Sequence, residues 1–521
     1  MHIALLPLDE RPVNTRLPRQ VAAVAGAEVK LPPAAVLSHK KQPGDTAALG
    51  SWLESTVEGS APADELVASL DTLGYGGLIA ARTTTDSVAA VLDRWEALRR
   101  VRARAPRTGL HAVSLVTRAP NSNSSDEEPD YWRHIGVDLH RYGAALHRRY
   151  LGEQAGEREA GELRERLPRD SVADFEARRL RNHTVNLAAL GLAADATVQT
   201  LLVTADDTAE RSAGSLEQHW LAHWKRVLGD AVDGVLMHPG ADEVGAVLVA
   251  RAVLGRLRDT PLPVAVECAV PDGLSRVAPY ENLPLAQGTQ GHLRAVGAAP
   301  AAGADAELVV VVHPPDRQGG DWAHQHPRVR EQEHSEVRAT AERVASLVAA
   351  GAAVVVADCA YPNGSDPALL AALQSRIELK SLAAYGGWNT AGNTVGSALA
   401  HGVVCATARA AGVLDHVAHH RLLLHRLIED HAYMTDIRGR ALARFSQQDR
   451  HDELPAEVRE PARSWIAAEL ARSVERFPEF AGWSLPADSV RLPWDRTFEV
   501  DFTLRPADGP AAEAVPEEGL R

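Results

Sequence analysis

Several marks of familiar protein classes are missing from this chain, and each absence excludes something. Only three cysteines, Cys268, Cys359 and Cys405, occur in 521 residues. Their spacing matches neither C-x-x-C nor a zinc pattern, so no disulfide framework and no thiolate metal site is expected. They read as small buried residues in a reducing compartment. No apolar stretch approaches the roughly 20 residues of a membrane span. No block of Lys and Arg offsets a formal net charge of −14, which argues against nucleic acid and against an anionic membrane surface as partners. The N-terminus enters an apolar run at once, without the basic n-region or long h-region of a signal peptide. The expected location is the cytoplasm. Nucleotide and hydrolase signatures are also missing: there is no G-x-x-x-x-G-K-S/T, no G-x-G-x-x-G after a strand, no G-x-S-x-G and no H-E-x-x-H. Aromatics make up only 5% of the residues, yet ten of them are Trp.

What remains is a chain of ordinary hydrophobic content, 45%, long enough for two or three domains. Short runs rich in Val and Leu recur near residues 2–6, 27–31, 65–70, 110–116, 199–204, 233–237, 263–269, 307–313, 352–357 and 381–385. Continuous apolar runs of this length fit parallel strands buried on both faces. Helical spacing lies between them, with Val88, Val91, Leu92, Trp95 and Leu98 on one stripe and Leu216, Trp220, Trp224 and Val227 on another. The expected fold is α/β: repeated β-α units, mostly parallel sheets, two Rossmann-like domains and a helical C-terminal region. An elaborated (β/α)8-type barrel is the alternative. The expected boundaries are an N-terminal α/β domain at 1–260 with a helical cap insertion near 120–198, a second α/β domain at 261–410, and a mainly helical region with closing strands at 411–505. The tail at 506–521 is expected to be disordered.

If the strands are parallel, the polar residues just past their ends converge on one rim. After the first run come Asp9, Glu10, Arg11 and Asn14, then Asp71, Tyr75 and Arg82, then Arg118 and Asn121. Asp206 and Asp207 follow the fifth run, and His238, Asp242 and Glu243 the sixth. Later runs deliver His313, then Asp358, Tyr361 and Asn363, then Tyr385, Trp388, Asn389 and Asn393. Bland readings compete with this one. Asp242 and Glu243 stand where carboxylates cap a helix, Asp9 and Arg11 suit an internal salt bridge, and Tyr75-Gly76-Gly77 suits a turn. His416, His419 and His420 suit a solvated helix face better than a metal site.

The motifs LPLDERPVN at 6–14, GADE at 240–243 and GWNTAGN at 387–393 resemble a bacterial family known as domain of unknown function 4127. Further resemblances lie at Ser69-Leu70-Asp71, at Glu127-Glu128-Pro129-Asp130-Tyr131-Trp132 and at Leu492-Pro493-Trp494. The resemblance implies no activity. The reading of function therefore comes from the residues.

A rim of Asp, Glu, Asn, Tyr and Trp with a few Arg suits a polyhydroxylated small molecule, a sugar or glycoside. Paired carboxylates suit glycosidic cleavage. Asp9, Glu10, Asp206, Asp207 and Asp242 are the catalytic candidates. Arg11, Asn14, Asp71, Tyr75, Arg82, Arg118, Asn121, Glu243, Asp358, Tyr361, Asn363, Tyr385, Trp388, Asn389 and Asn393 are the substrate-binding candidates. No cofactor is favoured. The metal-dependent alternative places a divalent ion on His238 and His313 with Asp206. The non-enzymatic alternative is an intracellular sugar-binding protein. The sequence leaves the oligomeric state open.

Overall fold

A computed structural model describes residues 1–323, 332–446 and 452–506. Eleven strands form two open sheets. The first contains β1 (His2–Leu6), β2 (Glu28–Lys30), β3 (Glu65–Ser69), β4 (Gly109–Val116), β5 (Thr200–Ala205) and β6 (Val235–Pro239). The second contains β7 (Pro263–Glu267), β8 (Ala299–Pro300), β9 (Leu308–His313), β10 (Val354–Asp358) and β11 (Ala384–Gly386). All pairings within these two sheets are parallel. The first sheet runs β2-β1-β3-β4-β5-β6 and the second β11-β10-β9-β7-β8. Read from β8, the second sheet repeats the order of the first five strands of the first sheet. Neither sheet closes, so the barrel alternative is set aside in favour of two doubly wound sheets. The ten expected strands are present. The additional one, β8, is a two-residue edge strand ending in Pro300, too short to show as an apolar run.

Alternation along β1 explains the layering. Ile3 and Leu5 point to one core, Ala4 and Leu6 to the other. Helices Thr46–Ser55, Val88–Arg104 and Arg169–Ala194 cover the second of these faces, burying Leu49, Trp95 and Val185. Helices Pro12–Ala23 and Val244–Leu257 cover the first, and their core continues without a break into the second sheet. Val247 and Val253 lie in the same cluster as Val310, Val355, Leu399 and Tyr433. The two sheets are therefore joined by helix-on-helix packing of Val244–Leu257 and Leu285–Val296 against Ala391–Ala410 rather than by a shared strand.

The insertion at 120–198 is three helices, Trp132–Tyr150, Gln154–Arg166 and Arg169–Ala194. The first two bury Trp132, Leu139, Tyr142 and Leu163 against Phe175 of the third in a small core of their own. After 410 the chain is helical over His416–Arg426, Leu427–Ile437, Arg438–Phe445 and Ala456–Ser473. Leu427–Ile437 has the wide π form, which leaves the Asp430 carbonyl to accept from Ser365 N at 3.0 Å and the Asp430 carboxylate to accept from Gly387 N at 2.9 Å. This turn pins two loops of the second sheet.

The closing strands expected within 411–505 do not make a long pair. A two-residue pair, Trp483–Ser484 with Arg505–Pro506, and a single Arg491–Asp501 bridge stand there instead. Left-handed backbone at Trp494 and Asp495, φ 55° at each, breaks the extended run. It turns the segment toward the rim of the first sheet. The tail at 507–521 lies outside the described residues.

Two glycines test this packing with opposite signs. A methyl at Gly402 would meet Val355 Cγ2 at 2.2 Å, whereas one at Gly161 meets nothing within 4 Å. Chemical denaturation should show Gly402→Ala destabilised by about 1–3 kcal/mol through overpacking. Gly161→Ala should be stabilised by about 0.5–1 kcal/mol through helix propensity.

Candidate functional site

The rim is built outward from Asp9. Its carboxylate accepts from Arg11 N at 3.0 Å, from Arg11 Nε at 2.8 Å and from Asn14 Nδ2 at 2.9 Å. This folds the charged loop back on itself just before Pro12 opens the next helix, at the position where proline is tolerated. The Arg11 guanidinium is buried, and two further carboxylates reach it: Asp242 at 2.5 Å and Glu499 at 3.0 Å. Asp242 also accepts from Asn389 Nδ2 at 3.2 Å, and its backbone N donates to Asn393 Oδ1 at 3.1 Å. Four chain regions, ending at β1, β6, β11 and the C-terminal segment, thus meet at one arginine and its carboxylates.

A second cluster lies beside the first. Arg82 pairs with Glu127, Glu128 and Asp206, and Arg118 with Glu127, Glu128 and Asp207. Arg496 links the two clusters by pairing with Glu127 and with Glu499. The ring of Trp494 lies under both Arg11 and Arg496, 4.8 Å and 4.5 Å from the guanidinium carbons, and its Nε1 donates to Glu10 Oε1 at 2.5 Å. Four guanidiniums therefore face seven carboxylates, Asp9, Glu127, Glu128, Asp206, Asp207, Asp242 and Glu499, with Glu10 held beside them by Trp494.

Burial, more than the excess of acid, sets the protonation states. Burial pushes the Asp206 carboxyl up to about 7, against the pull of Arg82. Burial likewise lifts Asp9 to about 6 and raises Glu128. Burial also opposes ionisation of Glu127, yet Arg496, Arg118 and Arg82 hold its carboxyl well below the usual range. Asp207 is the most exposed member, its side chain 29% accessible, and it sits in left-handed backbone at φ 34°. A groove of about 600 Å³ opens next to this cluster, within the roughly 300–1,000 Å³ typical of small-molecule sites. Glu128, Lys41, Thr83, Tyr131, Asp174 and Arg178 line it, so the inserted helices form one wall.

The structure places the remaining candidates elsewhere. Asp71 accepts from Leu115 N at 2.9 Å inside the sheet, and Tyr75 donates to Asn182 at 3.1 Å beneath Arg181. Both tie elements together. Asn121 is exposed. Asp358, Tyr385 and His313 form a separate centre in the second sheet. Tyr385 Oη donates to Asp358 at 3.1 Å, and His313 lies 3.2 Å from Asp366 and 3.1 Å from Thr340 Oγ1. Asn363 N donates to the Asn389 carbonyl at 2.8 Å, Tyr361 packs edge-on against Trp322, and Trp388 is buried near Phe498. The set His238, His313 and Asp206 is not gathered. Asp206 pairs with Arg82, His313 with Asp366, and His238 lies against Glu243 and His292.

Neither Asp242 nor Glu243 caps the helix that follows: Glu243 is its N-cap residue and makes no side-chain capping bond. Among the His-rich helix residues, His419 is buried at 2.9 Å from His401, while Asp415 caps the helix by accepting from Ala418 N.

A model of the family described as Protein of unknown function (DUF4127) matches residues 3–503. The chain belongs to the DUF4127 family. No curated protein and no solved structure matches it significantly. Several rim residues of this DUF4127 chain lie in the motifs that carry the sequence resemblance: Asp9 and Arg11 in the first, Asp242 in the second, Asn389 and Asn393 in the third. Glu127, Glu128 and Trp494 lie in motifs noted for the resemblance but not weighed as site residues, and Arg496 and Glu499 stand just beyond the last. Their position in those motifs was the available signal.

Asp71 offers a clean titration, because no cation lies against it. Burial lifts its carboxyl to about 7 from 3.8. The folded pKa exceeds the unfolded one, so the folded state holds the extra proton, and stability is lost as pH rises from about 4 to about 7. The loss should be of the order of 4 kcal/mol. Asp71→Asn keeps an acceptor for Leu115 N and should flatten that part of the stability-versus-pH curve measured by urea unfolding.

Proposed function

We propose that this protein is a carbohydrate-active hydrolase that cleaves a glycosidic bond with the carboxylates at the strand ends of its first sheet. The observation that carries the reading is the Asp206–Asp207 pair. Burial holds one carboxyl protonated to about pH 7, while its neighbour turns to solvent and Arg118. Adjacent carboxyls in unlike environments are how acid and base roles separate on one rim. In this reading Asp206 protonates the leaving oxygen, and Asp207 provides the second carboxylate, as base or nucleophile.

The groove beside Glu128 supports a polyhydroxylated ligand. Its lining combines hydroxyls, carboxylates and one aromatic ring, groups that bind sugar hydroxyls and faces, with the cations Lys41 and Arg178. Arg82 joins groove and pair, since it bonds both Glu128 and Asp206. The non-enzymatic alternative, an intracellular sugar-binding protein, uses the same groove without turnover.

The test is a panel of nitrophenyl glycosides assayed with and without EDTA. Turnover should survive EDTA, and kcat/KM should fall as pH rises through about 7, when Asp206 loses its proton. Asp206→Asn and Asp207→Asn should each lower kcat by about 10²–10⁴-fold. Saturable sugar binding without turnover would replace this reading with the binding protein. Turnover unchanged in both variants would refute the assignment of the pair.

A further inference from the structure

Away from the arginine clusters, at the junction of the two sheets, lie His238, Glu243 and His292. Each offers a ligand atom within 4.8 Å of the others, and all three are buried. Among the described residues no other group of three His, Cys, Asp or Glu is so close. His238 stands on β6, Glu243 immediately before helix Val244–Leu257, and His292 on helix Leu285–Val296 of the second sheet's first crossover.

The hydrogen bonding of this trio does not close. His292 Nδ1 donates to the Gly288 carbonyl at 2.9 Å, and His238 Nδ1 to the Pro239 carbonyl at 2.8 Å. A neutral imidazole that donates from Nδ1 keeps a lone pair at Nε2. The lone pair of His292 Nε2 then faces Glu243 Oε1 at 3.0 Å, acceptor against acceptor. Glu243 Oε2 and His238 Nε2 have no partner at all. Buried polar atoms left without a partner are costly, and a cation between these groups would satisfy them.

The backbone is shaped around the trio. A methyl at Gly240 would meet Glu243 Oε1 at 2.0 Å, one at Gly396 would meet Glu243 Cγ at 2.2 Å and His292 Cδ2 at 2.9 Å, and one at Gly291 would meet His238 Cβ at 2.7 Å. Three elements give up side chains to make this room. A cavity of about 20 Å³ touches His292 and Glu281, enough for a single water, which needs about 10–15 Å³.

We propose that His238, Glu243 and His292 bind one divalent cation of the zinc class, and that this ion clamps the two sheets together. Two imidazoles and one carboxylate are a donor set suited to zinc, and each imidazole already gives its other N–H to a backbone carbonyl, as metal-bound histidines do. The ion supplies the positive charge that the facing acceptors lack. The site is independent of the carboxylate pair on the first sheet's rim.

The test uses the full-length protein, stripped with chelator, returned to Zn²⁺ or Co²⁺ and analysed by mass spectrometry for bound metal. One equivalent per chain is expected, with visible Co²⁺ bands of a low-coordinate site and a raised melting temperature. His292→Ala and Glu243→Gln should lose that equivalent. X-ray absorption on zinc-loaded wild-type protein guards against misfolded variants, and should show two imidazoles and only nitrogen or oxygen ligands. Folded wild-type protein that takes up no metal would overturn the proposal, leaving a proton on Glu243 as the missing charge. Metal held equally by both variants, or a first shell without imidazole, would overturn it as well.

Discussion

The rim of the first sheet depends on one buried cation. Arg11 is enclosed by Asp9, Asp242 and Glu499, and its guanidinium lies over Trp494. A guanidinium can serve several carboxylates at once because its N–H groups fork in one plane. Lysine would present a compact point of charge without the planar fork that grips a carboxylate at two points. The groups meeting there come from the first strand end, the sixth strand end and a segment nearly 500 residues later, so this contact ties the C-terminus back to the start of the chain. Removing one partner of a buried ion pair costs about 3–5 kcal/mol because the other charge is left unpaired.

From that anchor the charge balance of the whole edge follows. Arg496 reaches the rim only because Trp494 and Glu499 are fixed beside Arg11, and Arg496 in turn fixes Glu127. Glu127 and Glu128 then hold Arg82 and Arg118, which hold Asp206 and Asp207. Acids outnumber guanidiniums in this chain of contacts. Burial outweighs the neighbouring guanidiniums at Asp206, Asp9 and Glu128, and these are the carboxyls raised. The same doubly wound order in both sheets puts polar residues at strand ends throughout. Past the second sheet's strands Arg276 and Arg317 pair with Asp272 and Glu336, and His313, Asp366, Asp358 and Tyr385 form a centre of their own.

Much of this was legible in the residues. Apolar runs such as Leu308–His313 and Val354–Asp358 leave no reading but buried parallel strands. A charged loop directly after β1 had to find partners, because its position past a buried strand denied it water. What could not be read was which partners. Asp9 meets Asn14 and Arg11 by local spacing, but Asp242 and Glu499 reach Arg11 only through the sheet order and the C-terminal path. Asp71 and Tyr75 looked equivalent to Asp9 by position, yet each is spent on a neighbouring element, Leu115 and Asn182. His238 was noticed, but its companion His292 sits in the middle of an amphipathic helix, where one more histidine carries no signal until the second sheet docks. The 489–504 segment alternated like a hairpin. Its left-handed turn at Trp494 and Asp495, two residues of no special left-handed preference beyond the aspartate, was invisible.

If Arg11 is the anchor, its loss must be felt at the far end of the chain. Hydrogen exchange on Arg11→Met, at a pH where the wild type is fully folded, measures this directly. The account requires fast exchange at Thr497 and Asp501, whose amides donate to Asp452 and Arg491 in the docked segment, while β9 and β10 stay protected. Unchanged protection at those two amides, with stability within about 0.5 kcal/mol of wild type as for an ordinary surface substitution, would contradict it.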